Sequence, residues 1–114
     1  MIRILTHNDA DFYHLLGPVF GSRQIEKITR DRFYDDAGKI WYVLPDQGAA
    51  SVMGATIKNF YAENPEAADA ILEMMIIKHA QLNGIVPRIY QAEFEKAGFT
   101  VIEYKRNFME VTHE

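Results

Sequence analysis

Tyr90 and Glu93 are side chains whose types and spacing suit proton transfer. A phenol near the start of a helix can reach a site and donate a proton. Glu93 and Glu95 lie two positions apart, and a carboxylate there could act as a base toward an amine, directly or through a water. The alternatives are a half-buried Tyr90 with its hydroxyl in water and a solvated helix face that pairs with Lys96 or Arg88.

Basic side chains fall into two groups. The first lies on a predicted second helix and the second near a predicted C-terminal strand: Arg23, Lys27, Arg30 and Arg32, then Arg88, Lys105 and Arg106. The first group could be a surface for a substrate or a partner, and the second is where a phosphorylated ligand would be sought. The alternative for the first group is a solvated helix face, offset by neighbouring acidic residues.

The sequence predicts no metal site. The chain has no cysteine, which rules out disulfides and thiolate zinc sites. Its four histidines lack the i, i+3 or i, i+4 pairing of a helical metal site. His79 lies beside an apolar helical face, where it could be a general base or a hydrogen-bonded residue at the core boundary.

The composition predicts one globular domain over residues 1–114. Hydrophobic residues make up 48% and charged residues 25%, both ordinary values. The net charge of −4 argues against a general nucleic-acid binder, which has a basic excess. No apolar run approaches the ~20 residues that span a bilayer, and residues 1–9 lack the features of a signal peptide. We therefore predict a cytoplasmic protein with no membrane partner.

The first half of the chain predicts a strand, two helices and a hairpin. The predicted elements are a strand over 2–5, a helix capped by Asn8 or Asp9 that ends or kinks at Gly17-Pro18, a helix from Ser22 to about Asp35, and strands over 39–44 and 51–60. Pro45 to Gly48 supplies the hairpin turn. Gly54 inside the second hairpin strand predicts a bulge or a close approach of two backbones.

The second half begins with the strongest pattern in the chain. Asn64-Pro65-Glu66 is typical of a helix start. The apolar face that follows predicts a long helix buried against a sheet, with its stop at Asn83-Gly84. A short strand within 85–90, a helical turn or two over 92–97 and a strand over 100–105 follow, and residues 107–112 either continue that strand or pair beside it.

This order of elements is similar to that of the GNAT family of N-acetyltransferases. Residues 94–99 (Phe-Glu-Lys-Ala-Gly-Phe) resemble the family's C-terminal Tyr-Glu-Lys-Leu-Gly-Phe element, and residues 41–43 and 51–55 resemble its central strands. The resemblance implies an α+β fold with a mixed, mostly antiparallel sheet in the order β-α-α-β-β-α-β-α-β and helices on both faces. The short stretch between Gly54 and the long helix implies that one central strand is missing or merged.

The resemblance also implies a small acyl-CoA-dependent N-acyltransferase that takes acetyl-CoA and transfers acetyl to an amine. A split between two central strands would hold the acyl group, lined by Ile57, Lys58 and Asn59. Ala68 and Ala70 stand where the family has spaced glycines that hold the cofactor diphosphate. The family's thiolate-protonating Tyr falls on Phe94, so Tyr90 and Tyr104 are the substitutes.

The stretch before the long helix departs from the family pattern. It has no glycine and no basic residue, Pro65 removes one N–H donor, and Glu63, Glu66 and Asp69 would repel a diphosphate. The alternative is therefore a catalytically inactive GNAT-like protein that acts as an inhibitor, regulator or assembly subunit, with a possible homodimer through an exposed strand edge. Its partner would be a protein rather than a small-molecule amine. A third interpretation treats the resemblance as accidental.

Overall fold

A computed structural model describes all of residues 1–114, and its centre is one seven-stranded sheet. The strands are β1 (Arg3–Thr6), β2 (Ile40–Leu44), β3 (Gly48–Met53), β4 (Thr56–Ala62), β5 (Leu82–Pro87), β6 (Thr100–Lys105) and β7 (Phe108–His113). The helices are α1 (Phe12–Leu16), α2 (Arg23–Thr29), α3 (Pro65–Lys78) and α4 (Gln91–Lys96), with a 3-10 turn at Arg88–Tyr90. The spatial order is β1-β2-β3-β4-β5-β7-β6, and only the β4–β5 pair is parallel.

The two faces of the sheet build two separate cores, because successive side chains of a strand point in opposite directions. Tyr42 of β2 joins the larger core, which contains Phe60 and the buried face of α3. Its neighbour Trp41 joins the smaller core, which contains Phe12 and Leu16 of α1. The predicted α+β class, with a mostly antiparallel sheet and helices on both faces, is confirmed.

Helix α3 begins where its cap predicts. Asn64 Oδ1 accepts a hydrogen bond of 2.8 Å from the Ala67 N–H, and Pro65 occupies the first helical position. The predicted stop at Asn83-Gly84 is wrong. The helix ends at Lys78, since His79 already has extended backbone angles and pairs through Nε2 with the Tyr42 hydroxyl at 2.7 Å. Burial lowers the pKa of His79, as expected for a neutral residue at the core boundary.

The prediction of one strand over 51–60 is also wrong. β3 and β4 are separate strands joined by a turn at Gly54, whose φ of 64° is left-handed. The bulge lies elsewhere: Ser51 pairs with Asn59 and Val52 with Ile57, so Lys58 is the extra residue. No central strand is missing. The sheet has two more strands than the five predicted, since β3 and β4 replace one predicted strand and residues 108–113 form β7.

The remaining boundaries differ by a few residues. Asp11, not Asn8 or Asp9, is the N-cap residue of α1, although its side chain makes no capping hydrogen bond. The Asp9 carboxylate accepts from the Thr6 N–H at 2.6 Å. Ser22 caps α2 as predicted, but that helix ends at Thr29. The predicted strand over 85–90 lies earlier, at Leu82–Pro87, so that the proline ends it. No helix of the chain is both long enough and apolar enough to cross a bilayer.

Replacement of Gly84 by alanine should destabilise the fold. A Cβ at this position would lie 2.7 Å from the Ile57 carbonyl oxygen and 3.0 Å from its Cβ. We expect a loss of about 1–3 kcal/mol in the free energy of unfolding, measured by urea denaturation. Asn83→Ala, at the exposed neighbouring position, is the control and should change stability by about 0.5 kcal/mol or less. Equal losses in the two variants would contradict the close approach.

Candidate functional site: the split between β4 and β5

The parallel strands β4 and β5 are paired at one end only. Their register comprises Thr56 with Asn83 and Ile57 with Gly84, and the Asn83 N–H also donates to the Ala55 carbonyl at 2.9 Å. Beyond this point β4 remains paired with β3, and β5 with β7. A split therefore opens between the two central strands, toward the start of α3.

Local sequence explains why the strands part there. The extra residue Lys58 makes a bulge in β4, and a bulge bends its strand and increases its twist. Gly84 lets β5 approach Ile57 closely at the last paired position. The strands thus touch at Gly84 and diverge immediately beyond it.

The three residues predicted to line the split differ in their availability. Ile57 is buried in the larger core, and Lys58 is exposed. Asn59 is buried and committed: its Oδ1 accepts from Ser51 at 2.6 Å and from Lys39 at 3.0 Å. Its Nδ2 donates to Asp31 at 3.1 Å, which ties β4 to the segment after α2. Only the Lys58 side chain is therefore free to meet a ligand.

Lys39 and Asp31 belong to this buried network and were not predicted. The Lys39 ammonium is buried, 3.2 Å from the Asp36 carboxylate and 5.5 Å from the centre of the Trp41 ring. Burial raises the pKa of Asp31, and its hydrogen bond from Asn59 opposes that shift. The sequence shows only a lysine at the start of a strand, so nothing in it indicates this burial.

Tyr90 lies where the 3-10 turn meets α4, and its hydroxyl is fixed on β4. The hydroxyl accepts from the Ala62 N–H at 3.0 Å and donates to the Ala62 carbonyl at 3.1 Å. Burial raises the pKa of Tyr90 to about 12, so the phenol holds its proton at neutral pH. To act as an acid it would have to release the Ala62 carbonyl first.

Tyr90 and Glu93 share one groove, of about 240 Å³. Its lining comes from the ends of α2 and β4, the start of α3, the 3-10 turn and α4: Ile28, Tyr61, Ala62, Glu63, Asn64, Pro65, Ile89, Tyr90 and Glu93. Tyr104 is not part of this groove. It lies on the edge strand β6, which β7 separates from β5, and Lys105 Nζ is 5.3 Å from the centre of its ring. The structure therefore brings together two of the three predicted catalytic residues and leaves the third apart.

The start of α3 is closed to an anion. Pro65 has no N–H, the Ala67 N–H donates to the Asn64 side chain, and the Ala68 N–H donates to the Asn64 carbonyl at 3.1 Å. Ala68 is fully buried in the larger core, and Ala70 is half-buried. The Asp69 carboxylate is paired with Lys96 at 3.0 Å. A diphosphate would find few free donors here, beside the acidic side chains of the first turn.

Phe94 lies in the core. It is fully buried, with its ring 5.0 Å from that of Phe60 and 4.9 Å from that of Phe99. Its side chain therefore packs α4 onto the sheet and takes no part in the groove. No group of three or more His, Cys, Asp or Glu side chains is arranged to hold a metal ion.

The comparisons with known proteins agree with this geometry at the level of the fold. No protein-family model matches the chain, and no curated protein matches it. The fold is GNAT-like: it is similar to the crystal structure of the Campylobacter jejuni N-acetyltransferase PseH in complex with acetyl coenzyme A. That likeness has a TM-score of 0.53 at 16% identity and covers 100% of this chain and 99% of that one. A second PseH structure gives 0.53 at 17% identity, over 99% and 97% of the two chains.

Tyr90→Phe should destabilise the protein. The change leaves the buried Ala62 N–H and carbonyl without their hydroxyl partner, which costs about 1–3 kcal/mol in the free energy of unfolding. Urea denaturation measures this loss. Tyr104→Phe, which removes a hydroxyl from an exposed side chain, is the matched control and should stay within about 0.5 kcal/mol of the wild type.

The same residue should contribute to alkaline unfolding. Because the pKa of folded Tyr90 lies near 12, above the ordinary value of 10.0, its protonated form stabilises the fold fully below about pH 10. That contribution, on the order of 2 kcal/mol, is lost as the pH rises from about 10 to about 12. The stability of Tyr90→Phe, measured from pH 8 to 12, should therefore fall less steeply than that of the wild type. Parallel curves would show that Tyr90 ionises normally.

Proposed function

We propose that the chain is a small acyl-CoA-dependent N-acyltransferase that transfers an acetyl group to an amine at the split between β4 and β5. One observation carries the proposal: two central parallel strands pair at a single end and then part. This occurs within a fold that is similar, over its full length, to an N-acetyltransferase solved with acetyl coenzyme A. In open sheets with parallel strands, ligands commonly bind in a crevice at the carboxyl ends of the strands, which is where β4 and β5 part.

The unpaired edge of β4 supports binding of the acyl end of such a cofactor. The edge of β4 beyond Ile57 is not paired with β5, so an extended arm that carries amides could bond to it as an added strand does. Lys58 and the groove at Tyr90 lie along this edge. When bound, the cofactor would supply a thioester whose carbonyl carbon an amine attacks to give an amide and a free thiol.

Two side chains of the groove would move the protons. The Glu93 carboxylate, half-exposed in the first turn of α4, would take a proton from the attacking amine, directly or through a water. Tyr90, which lines the same groove, would deliver its phenolic proton to the departing sulfur after releasing the Ala62 carbonyl. The residues thus divide into a base and an acid.

A second function is favoured by the closed start of α3. Asn64 and Pro65 leave few free donors, and Glu63 and Glu66 are exposed and negative, so the cofactor diphosphate does not fit there. The alternative is a GNAT-like binding protein without catalysis, whose partner is another protein. The exposed edge strand β6, with Ile102 and Tyr104 open to solvent, would then be the place where a second copy pairs.

Calorimetric titration with acetyl-CoA and with free CoA separates the two functions. The acyltransferase proposal expects saturable binding of both at micromolar to millimolar concentration. Complete absence of binding at millimolar ligand would reject it and favour the binding protein. Thermal denaturation of the same sample shows that the protein is folded.

Transfer itself is tested with acetyl-CoA and a panel of primary amines, by following thiol release. Glu93→Gln should lower the turnover of any accepted amine by roughly a hundredfold, because the base is lost, while acetyl-CoA binding is unchanged. Glu95→Gln on the same helix is the control, since its carboxylate is exposed and outside the groove. An equal loss in both variants would remove Glu93 from the chemistry.

A further inference from the structure

A second groove, of about 320 Å³, lies next to the split and is strongly basic. Three separate segments line it: the end of α2, the end of β5 with the 3-10 turn, and the turn between β6 and β7. Its four charged residues are all positive: Lys27, Arg30, Arg88 and Arg106. The basic groove therefore brings together two residues from each of the two groups of basic residues that lie far apart in the sequence.

Nearby acidic residues leave most of this charge uncompensated. Glu26 on α2 pairs with Arg32, outside the groove, at 3.2 Å. Glu103 approaches Arg88 only to 3.7 Å, and its side chain is 89% exposed. The other three basic side chains form no salt bridge, although the whole chain carries a net charge of −4. Such a concentration of one sign attracts a ligand of the opposite sign.

Arg88 is held in place before any ligand arrives. Its Nη2 donates to the Lys105 carbonyl at 2.6 Å and to the Phe108 carbonyl at 3.3 Å. Its backbone N–H donates to the Asn107 carbonyl at 3.0 Å. A guanidinium fixed in this way loses little conformational freedom when it binds an anion.

Arg30 occupies a backbone position that favours glycine. It ends α2 with a left-handed φ of 61°. This backbone conformation is strained for a residue with a side chain and unstrained for glycine. Buried Thr29 holds this conformation, since its Oγ1 donates to the Ile25 carbonyl at 2.8 Å and accepts from the Asp31 N–H at 3.2 Å. Strained residues of this kind are concentrated at functional sites.

The end of α2 explains only part of this concentration of positive charge. Basic residues near a helix C-terminus offset its partial negative charge, which accounts for Lys27 and Arg30. It does not account for Arg88 and Arg106, which belong to other segments of the chain and face the same space. A ligand that needs all four charges accounts for them together.

We propose that the basic groove binds a phosphate or diphosphate group of a ligand. Arginine forks match the oxygen geometry of phosphate, and several positive groups suit an anion of more than one charge. The basic groove and the groove at Tyr90 share Ile28 and Ile89, which are 39% and 60% exposed. A ligand anchored by its phosphate could therefore extend toward the split. That extension rests on the proposed function, whereas the anion site does not.

Titration of the full chain with inorganic pyrophosphate at low ionic strength tests the site directly. Arg30→Gly is the decisive variant, because glycine suits the left-handed backbone while the charged side chain is lost. We expect its pyrophosphate affinity to fall roughly tenfold and its thermal midpoint to be unchanged or higher. Arg106→Gln should weaken binding similarly. Arg23→Gln, which removes one charge from the same helix outside the basic groove, should keep the wild-type affinity.

The result that overturns the proposal is absence of saturable pyrophosphate binding, or an equal loss in Arg23→Gln and Arg30→Gly. Acetyl-CoA titrations at saturating pyrophosphate then identify the source of the phosphate. Competition assigns the phosphate to the cofactor, whereas independent binding of the two assigns it to a different ligand. Pyrophosphate binding without acetyl-CoA binding would support the anion site and reject the proposed function. Acetyl-CoA binding without pyrophosphate binding would reject the anion site and leave the proposed function standing.

Discussion

This structure depends on one constraint. Where β4 and β5 part, some peptide groups are left without strand partners. Buried N–H and carbonyl groups must be paired, because an unpaired one costs as much as a lost hydrogen bond. At Ala62 the partner is the Tyr90 hydroxyl, which serves both groups. This contact fixes the 3-10 turn, and the turn sets α4 so that Phe94 meets Phe60. The packing of the C-terminal segment thus follows from the opening of the sheet.

The two grooves form where the helices cease to cover the sheet. Helices α1 and α2 cover the face of the sheet on the side of β1 to β3, where the smaller core lies. The same face of β5, β7 and β6 has no helix over it, so that Ile85 and Ile102 are 41% and 55% exposed. The end of α2 therefore stands beside open space, and the two grooves flank Ile28 there. The short length of α2 leaves both grooves open beside Ile28.

Patterns confined to one element were predictable from the sequence, and contacts between elements were not. The Asn64-Pro65 helix start is local chemistry, and the structure retains it. A lone Gly54 in a β-branched run predicts a bulge or a turn equally well, because both use its left-handed angle. Leu82 keeps the helical spacing of α3 by coincidence, which hid the start of β5. Tyr90 and Glu93 are close together in the sequence. Arg30 and Arg88 are far apart in the sequence and line the same groove only because β5 ends beside α2.

The distribution of charge around the split connects these observations. The positive partial charge at the start of α3 would ordinarily attract a phosphate. Here the Asn64 side chain accepts from the Ala67 N–H, and Glu63 and Glu66 add negative charge. Positive charge is concentrated instead in the basic groove, on the other side of Ile28 and Ile89. A ligand with a charged end and an apolar reactive end would therefore be oriented by these two surfaces, with its anion held away from α3. The proposed orientation follows from charge, so it needs no glycine loop at the start of α3.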